Sequence, residues 1–198
     1  IPGAASAIFF NHGQCCCAGS RLYIEKSIFD KVVEGVCDHA NKIKIGSGLD
    51  PDTQMRPLIS QEQVARVCGY LEAGFSEGAT AVAGGKRREG KGYFVEPTVL
   101  VNTNPNMKVV QEEIFGPVVT AIPFTDPDEV VRQAHNTIYG LAAGIWTRDI
   151  SKAHRMADQL RAGNRLGKFL LRHGRRPAAG IKPRTMAYMH WVKTGVRF

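Results

Sequence analysis

The chain has 198 residues, of which 43% are hydrophobic, and this composition supports a folded core and excludes wholesale disorder. Its apolar runs are far shorter than the roughly 20 residues that a membrane-spanning helix requires, so we expect no membrane partner. The 26 basic residues outnumber the 18 acidic ones, which gives a formal net charge of +8. That balance alone is typical of proteins that bind nucleic acid or a membrane surface.

The positive charge is concentrated at one end of the sequence. No acidic residue follows Gly163, whereas the part before it is close to neutral. The sequence therefore predicts a globular domain over 1–163 and a basic tail over 164–198. The tail leaves a basic nucleic-acid-binding protein open as an alternative, although it contains no recognisable nucleic-acid-binding module.

The start of the chain and its cysteines indicate a cellular context. The sequence begins at Ile1 without an initiator Met or a signal-peptide pattern, so we expect it to be a piece of a longer chain. It contains five cysteines, three of them adjacent, and adjacent cysteines are poor disulfide partners for each other. The absence of a Cys-x-x-Cys pair argues against a metal site, and the free thiols favour a reducing compartment, the cytoplasm.

The first half of the chain shows a strand followed by two helices. Arg21–Glu25 has the composition of a strand, and Ser27 is predicted to cap the helix that follows it. Ser60 and Gln63 have the spacing of a capping box at the start of a second helix. The apolar residues behind each of these starts fall on one helical face, which is typical of a helix that packs on a core.

The second half alternates strands and helices. Asp126 followed by Pro127 predicts the start of one helix, and a last helix over 151–162 is predicted to end at Gly163. We find no strand or helix periodicity after Gly163. The whole pattern implies an α/β fold in which helices flank a mostly parallel sheet. The strands of this half are predicted at 79–83, 93–101, 118–124 and 141–146.

The stretch over 9–21 carries the strongest chemical signal. It is a glycine-bearing turn of small residues with three adjacent cysteines, and it is followed by the first strand. Such a turn can expose a thiol and place backbone N–H groups beside it, which a nucleophilic cysteine requires. Free cysteines are also common as inert core residues, so the residues alone leave both interpretations open.

Two motifs resemble the aldehyde dehydrogenase superfamily. The pattern Phe9-x-x-x-Gly13-Gln14-x-Cys16 resembles the family's active-site cysteine motif, and 112–117 (EEIFGP) resembles a second family motif at the expected distance. Similar stretches follow the family's order up to Gly163. The resemblance implies the family's α/β catalytic domain, incomplete at both ends. The similar stretches are 49–51, 57–60, 92–99 and 139–143.

The resemblance implies roles for three residues. Cys16 corresponds to the nucleophile that forms a thiohemiacetal and then a thioester with the aldehyde. Glu113 corresponds to the acid that binds the nicotinamide-side ribose of NAD or NADP, and Phe115 to the aromatic residue near the nicotinamide. Without the motif, a surface acid and a core phenylalanine would be the simpler interpretations of these two. Cys15 and Cys17 are expected to line the substrate tunnel or the core.

The resemblance also implies what the chain lacks. The family's nucleotide-binding half, its general-base glutamate and its oxyanion-hole asparagine precede the cysteine motif. We therefore expect the chain to be part of an NAD(P)-dependent aldehyde dehydrogenase and to be inactive alone. The parent is expected to be a homo-oligomer that oxidises a small-molecule aldehyde, with phenylacetaldehyde as one candidate, and the chain is expected to lack the oligomerisation strand. A catalytically inactive structural relative remains the other alternative.

The tail departs from the family after Gly163. The family continues with a strand similar to Thr-Val-Trp-Val-Asn, and one back-translation of 163–171 yields that strand when it is read one nucleotide later. We therefore hypothesise a frameshift near codon 163, which resequencing of the gene tests. Translation out of frame would leave 164–198 poorly ordered and would expose an edge of the sheet.

Overall fold

The computed structural model describes residues 1–162 in full and, beyond them, the backbone of two strands. In the described residues, six α-helices and two short 3₁₀-helices, Phe10–Gly13 and Lys26–Ile28, accompany a sheet of seven strands. The α-helices are α1 Pro2–Phe9, α2 Phe29–Lys42, α3 Gln61–Ser76, α4 Lys108–Gln111, α5 Pro127–His135 and α6 Ile150–Gln159. The strands are β1 Arg21–Glu25, β2 Thr80–Ala83, β3 Thr98–Val101, β4 Val118–Phe124, β5 Ala142–Thr147, β6 Asn164–Phe169 and β7 Thr185–His190.

The strands form one sheet in the order β2-β3-β4-β1-β7-β5-β6. Pairs β3/β4, β4/β1 and β5/β6 are parallel, and β2 and β7 are antiparallel to their neighbours. Because β7 opposes both β1 and β5, five of the seven strands run in the same direction. The prediction of a mostly parallel sheet with flanking helices is therefore confirmed.

Apolar clusters lie on both faces of the sheet at β1, as the alternation of its side chains shows. Tyr23 belongs to one apolar cluster, which includes residues of α3, α4, α5 and α6. Its neighbours Leu22 and Ile24 belong to the other cluster, which includes residues of α1 and α2. Successive residues of a strand point to opposite faces, so β1 contributes to both layers of the core.

Two of the predicted helix starts are confirmed by their caps. The Ser60 hydroxyl accepts a hydrogen bond from the Gln63 amide at 3.2 Å, and the Asp126 carboxylate accepts one from the Asp128 amide at 3.0 Å. Each bond satisfies an amide that has no partner within the first turn of its helix. Pro127 occupies the first turn of α5, where its missing N–H costs nothing.

Two predicted helix boundaries are wrong, the start of α2 and the end of α6. Ser27 does not cap α2, because residues 26–28 form a 3₁₀ turn and the Ser27 hydroxyl donates to the Glu25 carboxylate at 2.9 Å. Helix α6 does not reach Gly163. It ends at Gln159, where Leu160 turns to an extended backbone while its N–H still donates to Met156. A local hydrogen bond therefore replaces the predicted cap of α2, and the backbone of α6 becomes extended before Gly163 is reached.

The predicted strands of the described domain are all present. Arg21–Glu25 and Val118–Phe124 have the predicted bounds, and the other three strands have shifted ends. The stretch over 93–101 contributes only Thr98–Val101, because Pro97 has no N–H to donate to a ladder. Helices Pro2–Phe9 and Lys108–Gln111 are additions that the sequence pattern does not predict. No helix in the described part of the chain is long and apolar enough to cross a membrane.

The prediction that no strand follows Gly163 is wrong at two places. Asn164–Phe169 pairs with β5 in parallel, and Thr185–His190 lies between β1 and β5. Strand pairing uses backbone groups, so a segment without apolar alternation can still satisfy the unpaired edge of a neighbouring strand. The basic side chains of 164–198 lie outside the described residues, so the frameshift, the poor order of the tail and the nucleic-acid alternative stay predictions.

Candidate active site

The loop before the cysteines has an unusual backbone. Asn11, His12 and Gly13 have φ angles of 52°, 61° and 67°, so three consecutive residues occupy the left-handed region. A side chain at Gly13 would collide with the backbone, because its Cβ would lie 2.0 Å from the Gly116 carbonyl oxygen. Gly13 is therefore required both by its conformation and by its close approach to another loop.

That close approach joins the two sequence motifs at one crevice. Gly13 belongs to the cysteine motif and Gly116 to the 112–117 motif, although about 100 residues separate them in the chain. The crevice between them is lined by Cys15, Cys16, Ser20, Glu113, Phe115 and Gly116, among others. The structure thus brings together all three residues for which the sequence implied a role.

The three adjacent cysteines form a tight turn at the mouth of this crevice. The Ala18 amide donates to the Cys15 carbonyl at 2.9 Å, so Cys16 and Cys17 are the corner residues and both are exposed. Cys15 is half-buried, and its Sγ lies 3.3 Å from the Sγ of Cys17. All five cysteines of the chain are free thiols.

The thiols differ in their tendency to ionise. Burial raises the pKa of the Cys37 and Cys68 thiols, because the charged thiolate is poorly solvated there. The hydrogen bond with Cys15 raises the pKa of the Cys17 thiol. At neutral pH these three side chains therefore contain less thiolate than an ordinary cysteine, which reduces their reactivity as nucleophiles.

Two side chains of α3 hold the loop that carries Glu113. Gln63 Nε2 donates to the carbonyl oxygens of Ile114 and Phe115 at 3.2 and 2.8 Å. Arg66 Nη2 donates to the carbonyl oxygen of Glu113 at 2.6 Å. Phe115 has a φ of 59°, so the loop needs this support to keep a left-handed residue.

Sequence reasoning misses Gln63 and Arg66 as residues of the site. It identifies Gln63 only as the capping-box partner of Ser60, and it gives Arg66 no role. The available signal is their spacing of three residues, which places both on one face of a helix that starts close to the family stretch over 57–60. Only the packing of α3 against the 112–117 loop gives that face a function.

The two adjacent glutamates of the motif have different environments. The Tyr70 hydroxyl donates to the Glu112 carboxylate at 2.8 Å, and burial together with this bond raises the pKa of Tyr70 to about 12. Glu112 therefore serves a structural contact. Glu113 instead lines the crevice beside Cys16, where burial raises its pKa and the charge of Arg66 opposes that effect.

A wider groove lies next to the crevice, on the side of Phe115. Its volume is about 640 Å³, within the range of small-molecule sites. Burial lowers the pKa of His12, so its imidazole is neutral in this groove at pH 7. Phe115 lines both spaces, and other groove residues are Gln14, Arg56, Leu58 and Ile59.

Replacing Arg66 with methionine should loosen the Glu113 loop. The change removes a charged donor from a backbone carbonyl, which we expect to lower the free energy of unfolding by about 1.5–3 kcal/mol. Urea denaturation of the chain measures the loss. Arg155 is an exposed arginine of α6, and Arg155→Met serves as the matched control. Equal losses in both variants would show that Arg66 contributes no more than a surface arginine.

Comparison with known proteins agrees with the two motifs. The model of the aldehyde dehydrogenase family matches residues 1–167. The chain therefore belongs to the aldehyde dehydrogenase family, as its motifs indicated.

Several relatives share this part of the sequence. The Bacillus subtilis protein named "Putative aldehyde dehydrogenase DhaS" is 50% identical over 163 residues, which cover 82% of this chain and 33% of the relative. The betaine aldehyde dehydrogenase of the same organism is 46% identical over 167 residues, covering 82% of this chain and 34% of the relative. The chain thus spans about a third of the length of the curated relatives that it matches.

Solved structures share the fold. The NAD⁺ complex of an aldehyde dehydrogenase from Bacillus cereus is 45% identical with a TM-score of 0.83, and the match covers 86% of this chain and 35% of that one. The NAD⁺ complex of the betaine aldehyde dehydrogenase from Staphylococcus aureus is 42% identical with a TM-score of 0.80, covering 83% of this chain and 33% of that one. These values place the described domain within the family's fold.

Proposed function

We propose that this chain supplies the thiol nucleophile and the ribose-binding carboxylate of an enzyme that oxidises an aldehyde with NAD or NADP. The observation that carries the proposal is the crevice in which Cys16, Glu113 and Phe115 meet. The family membership of the chain supports the same reaction class. The division at Gly163, with the family domain before it and the basic tail after it, is part of this proposal.

Cys16 performs the covalent step. Its thiolate adds to the aldehyde carbon and forms a C–S bond, while the carbonyl oxygen takes the negative charge. The backbone N–H of Cys16 is a donor for that oxygen, since it lies at the corner of an exposed turn. When bound, NAD(P)⁺ would supply the acceptor for the hydride that leaves this carbon, and Cys16 would then hold the acyl group as a thioester. Water then hydrolyses the thioester to the acid and regenerates the thiol.

Glu113 and Phe115 suit a dinucleotide cofactor. A carboxylate accepts two hydrogen bonds, which matches the adjacent hydroxyls of a ribose. Burial raises the pKa of Glu113, and the charge of the nearby Arg66 opposes that rise. Phe115 provides an apolar surface for a flat ring at the border of the crevice and the groove.

The substrate, assembly and location are further parts of the proposal. Aliphatic and aromatic aldehydes, including phenylacetaldehyde, are the first candidates, and the betaine aldehyde dehydrogenase among the relatives adds betaine aldehyde to the panel. We propose that the whole enzyme is a homo-oligomer. The five free thiols of this chain support a reducing compartment, the cytoplasm.

A chimaera tests the proposed function. In it, residues 1–162 of this chain replace the corresponding segment of the Bacillus cereus aldehyde dehydrogenase, which supplies the remaining two-thirds of the enzyme. We expect the chimaera to form NADH or NADPH from at least one aldehyde of the panel. The isolated 198-residue chain is expected to form neither, because it covers about a third of its relatives' length. The absorbance of NADH or NADPH measures turnover by the chimaera and by the isolated chain.

Two results would contradict the proposal. The chimaera counts as folded if it unfolds cooperatively and has a secondary-structure content equal to that of the Bacillus cereus enzyme. If such a folded chimaera oxidises no aldehyde, this segment does not support the reaction. Turnover by the isolated chain would show that the missing two-thirds is dispensable. The unmodified Bacillus cereus enzyme is the positive control for the assay.

A further inference from the structure

The Tyr70 hydroxyl lies between two opposite charges beside the Glu113 loop, residues 112–117. It donates to the Glu112 carboxylate at 2.8 Å and accepts from Arg66 Nη2 at 3.3 Å. A hydroxyl can donate one hydrogen bond and accept others, so it serves both partners at once. Because Tyr70 is buried in the apolar cluster that includes α3, its hydroxyl has a fixed place between the two charges.

These contacts close a ring that includes the backbone of the Glu113 loop. The same Arg66 nitrogen that donates to Tyr70 also donates to the Glu113 carbonyl oxygen at 2.6 Å. Glu112 directly precedes Glu113, and its amide donates to the Lys108 carbonyl oxygen at 3.0 Å. Glu113 is thus held at its own carbonyl and through the residue before it, and the Tyr70 hydroxyl joins the two supports.

The hydroxyl also keeps Arg66 and Glu112 apart. Among the described residues, the charged groups of these two form no direct ion pair, although both contact the same hydroxyl oxygen. An arginine and a carboxylate favour a bidentate contact with two parallel N–H···O bonds, which is stronger than a bond to a neutral oxygen. Without the hydroxyl between them, that contact would draw Arg66 away from the Glu113 carbonyl.

The aromatic ring of Tyr70 has contacts that do not involve its hydroxyl. The Arg66 guanidinium and the Lys108 ammonium lie 5.2 and 5.3 Å from the ring centroid, within the range of cation–π contacts. Phenylalanine keeps this ring and its packing in α3, so Tyr70→Phe removes the hydroxyl alone. The substitution therefore separates the placement of the two charges from the packing of the helix.

We propose that Tyr70 is a positioning residue for the Glu113 carboxylate. Its hydroxyl separates Glu112 from Arg66, and Arg66 therefore stays on the Glu113 carbonyl. The Glu113 loop is thereby ordered before a cofactor arrives, so that the ribose meets an acceptor that is already in place. The link to the cofactor rests on the proposed function, whereas the ring of contacts that orders the loop does not.

The first test needs no cofactor and measures hydrogen–deuterium exchange of the 198-residue chain. In Tyr70→Phe, we expect the backbone amides of the Glu113 loop to exchange at least about fivefold faster, because Arg66 leaves the carbonyl that it holds. Adding Glu112→Gln removes the charge that attracts Arg66 and should restore the slower exchange. Tyr93→Phe changes an exposed tyrosine and serves as the matched control.

The second test is the steady-state kinetics of the Bacillus cereus chimaera. Tyr70→Phe should raise the KM for NAD or NADP at least about fivefold and keep kcat within about twofold, because saturating cofactor selects the ordered loop. Adding Glu112→Gln should return the KM toward that of the unmodified chimaera. A hydroxyl that only stabilised the fold would show no such rescue, since the second substitution changes a further contact.

Three results would overturn the role of Tyr70. Equal exchange of the Glu113 loop in Tyr70→Phe and Tyr93→Phe would show that the hydroxyl does not order the loop. Failure of Glu112→Gln to rescue the exchange would assign the hydroxyl to general stability. An unchanged KM in an active chimaera would separate the ring of contacts from the cofactor. A folded chimaera without turnover contradicts the proposed function instead, and the exchange experiment still decides whether Tyr70 positions Glu113.

Discussion

Replacing Cys16 with serine in the Bacillus cereus chimaera is expected to lower the rate of NADH formation at least about a thousandfold. The oxygen of serine is a far weaker nucleophile than a thiolate at neutral pH, so no thiohemiacetal accumulates. Steady-state kinetics with the best aldehyde of the panel measures the loss. We expect the effect in kcat and in kcat/KM, since the residue makes the bond that every later step requires.

The control for this substitution is another cysteine of the same chain. Cys37 lies half-buried in α2, away from the crevice lining. Cys37→Ser in the same chimaera should keep NADH formation within about threefold of the unmodified chimaera, in line with a surface-like change. A loss of equal size in both variants would indicate damage to the fold, and full activity of the Cys16 variant would exclude Cys16 as the nucleophile.

Replacing Gly13 with alanine should lower the free energy of unfolding by at least about 2 kcal/mol. Two costs combine: alanine at a φ of 67° is strained, and its Cβ would lie 2.0 Å from the Gly116 carbonyl oxygen. Relief of the collision must separate the two loops, so the crevice between Cys16 and Glu113 should open. Urea denaturation of the 198-residue chain measures the first effect.

A second glycine provides a control with the opposite sign. Gly69 lies in α3, and a Cβ added there meets no atom within 4 Å. Gly69→Ala should therefore raise stability by about 0.5–1 kcal/mol, because alanine loses less backbone entropy in a helix. If Gly13→Ala were as well tolerated as Gly69→Ala, the contact between the two motifs would not constrain the loop as described.

Most of the strands were predictable because the composition of each strand and the residues next to it in the sequence indicate the same element. Val118–Phe124 has buried residues on both faces, and its sequence is apolar apart from Thr120, which is typical of a central strand. Asp126 and Ser60 cap helices through their own side chains, which is a local interaction that the sequence reveals directly. These elements depend little on distant parts of the chain.

The elements that the sequence pattern does not predict occur where distant contacts decide the structure. Strands Asn164–Phe169 and Thr185–His190 lack a sequence signal, yet they pair with β5 and β1 through backbone hydrogen bonds. Helix Pro2–Phe9 is short and rich in small residues, and Ile8 and Phe9 are buried within the cluster that also contains α2. Neither interaction is visible from residue spacing.

The candidate site was likewise predictable where local motifs define it and unpredictable where distant contacts do. Cys16, Glu113 and Phe115 followed from two motifs, because each motif places its residues at fixed positions in a short segment. The contributions of Gln63 and Arg66 could not be predicted, since they depend on how α3 packs against a loop about 50 residues later in the chain. The proximity of the two motifs likewise depends on the contact of Gly13 with Gly116.

The most direct test of the central claim is site-resolved acetylation of the 198-residue chain by p-nitrophenyl acetate at neutral pH. An activated ester forms the same type of thioester as the proposed reaction and needs no cofactor. We predict acetylation of Cys16 first, because it is exposed in the crevice, whereas burial raises the pKa of Cys37 and Cys68 and limits their thiolate. Acetylation of Cys37 or Cys68 at the rate of Cys16 would contradict the account.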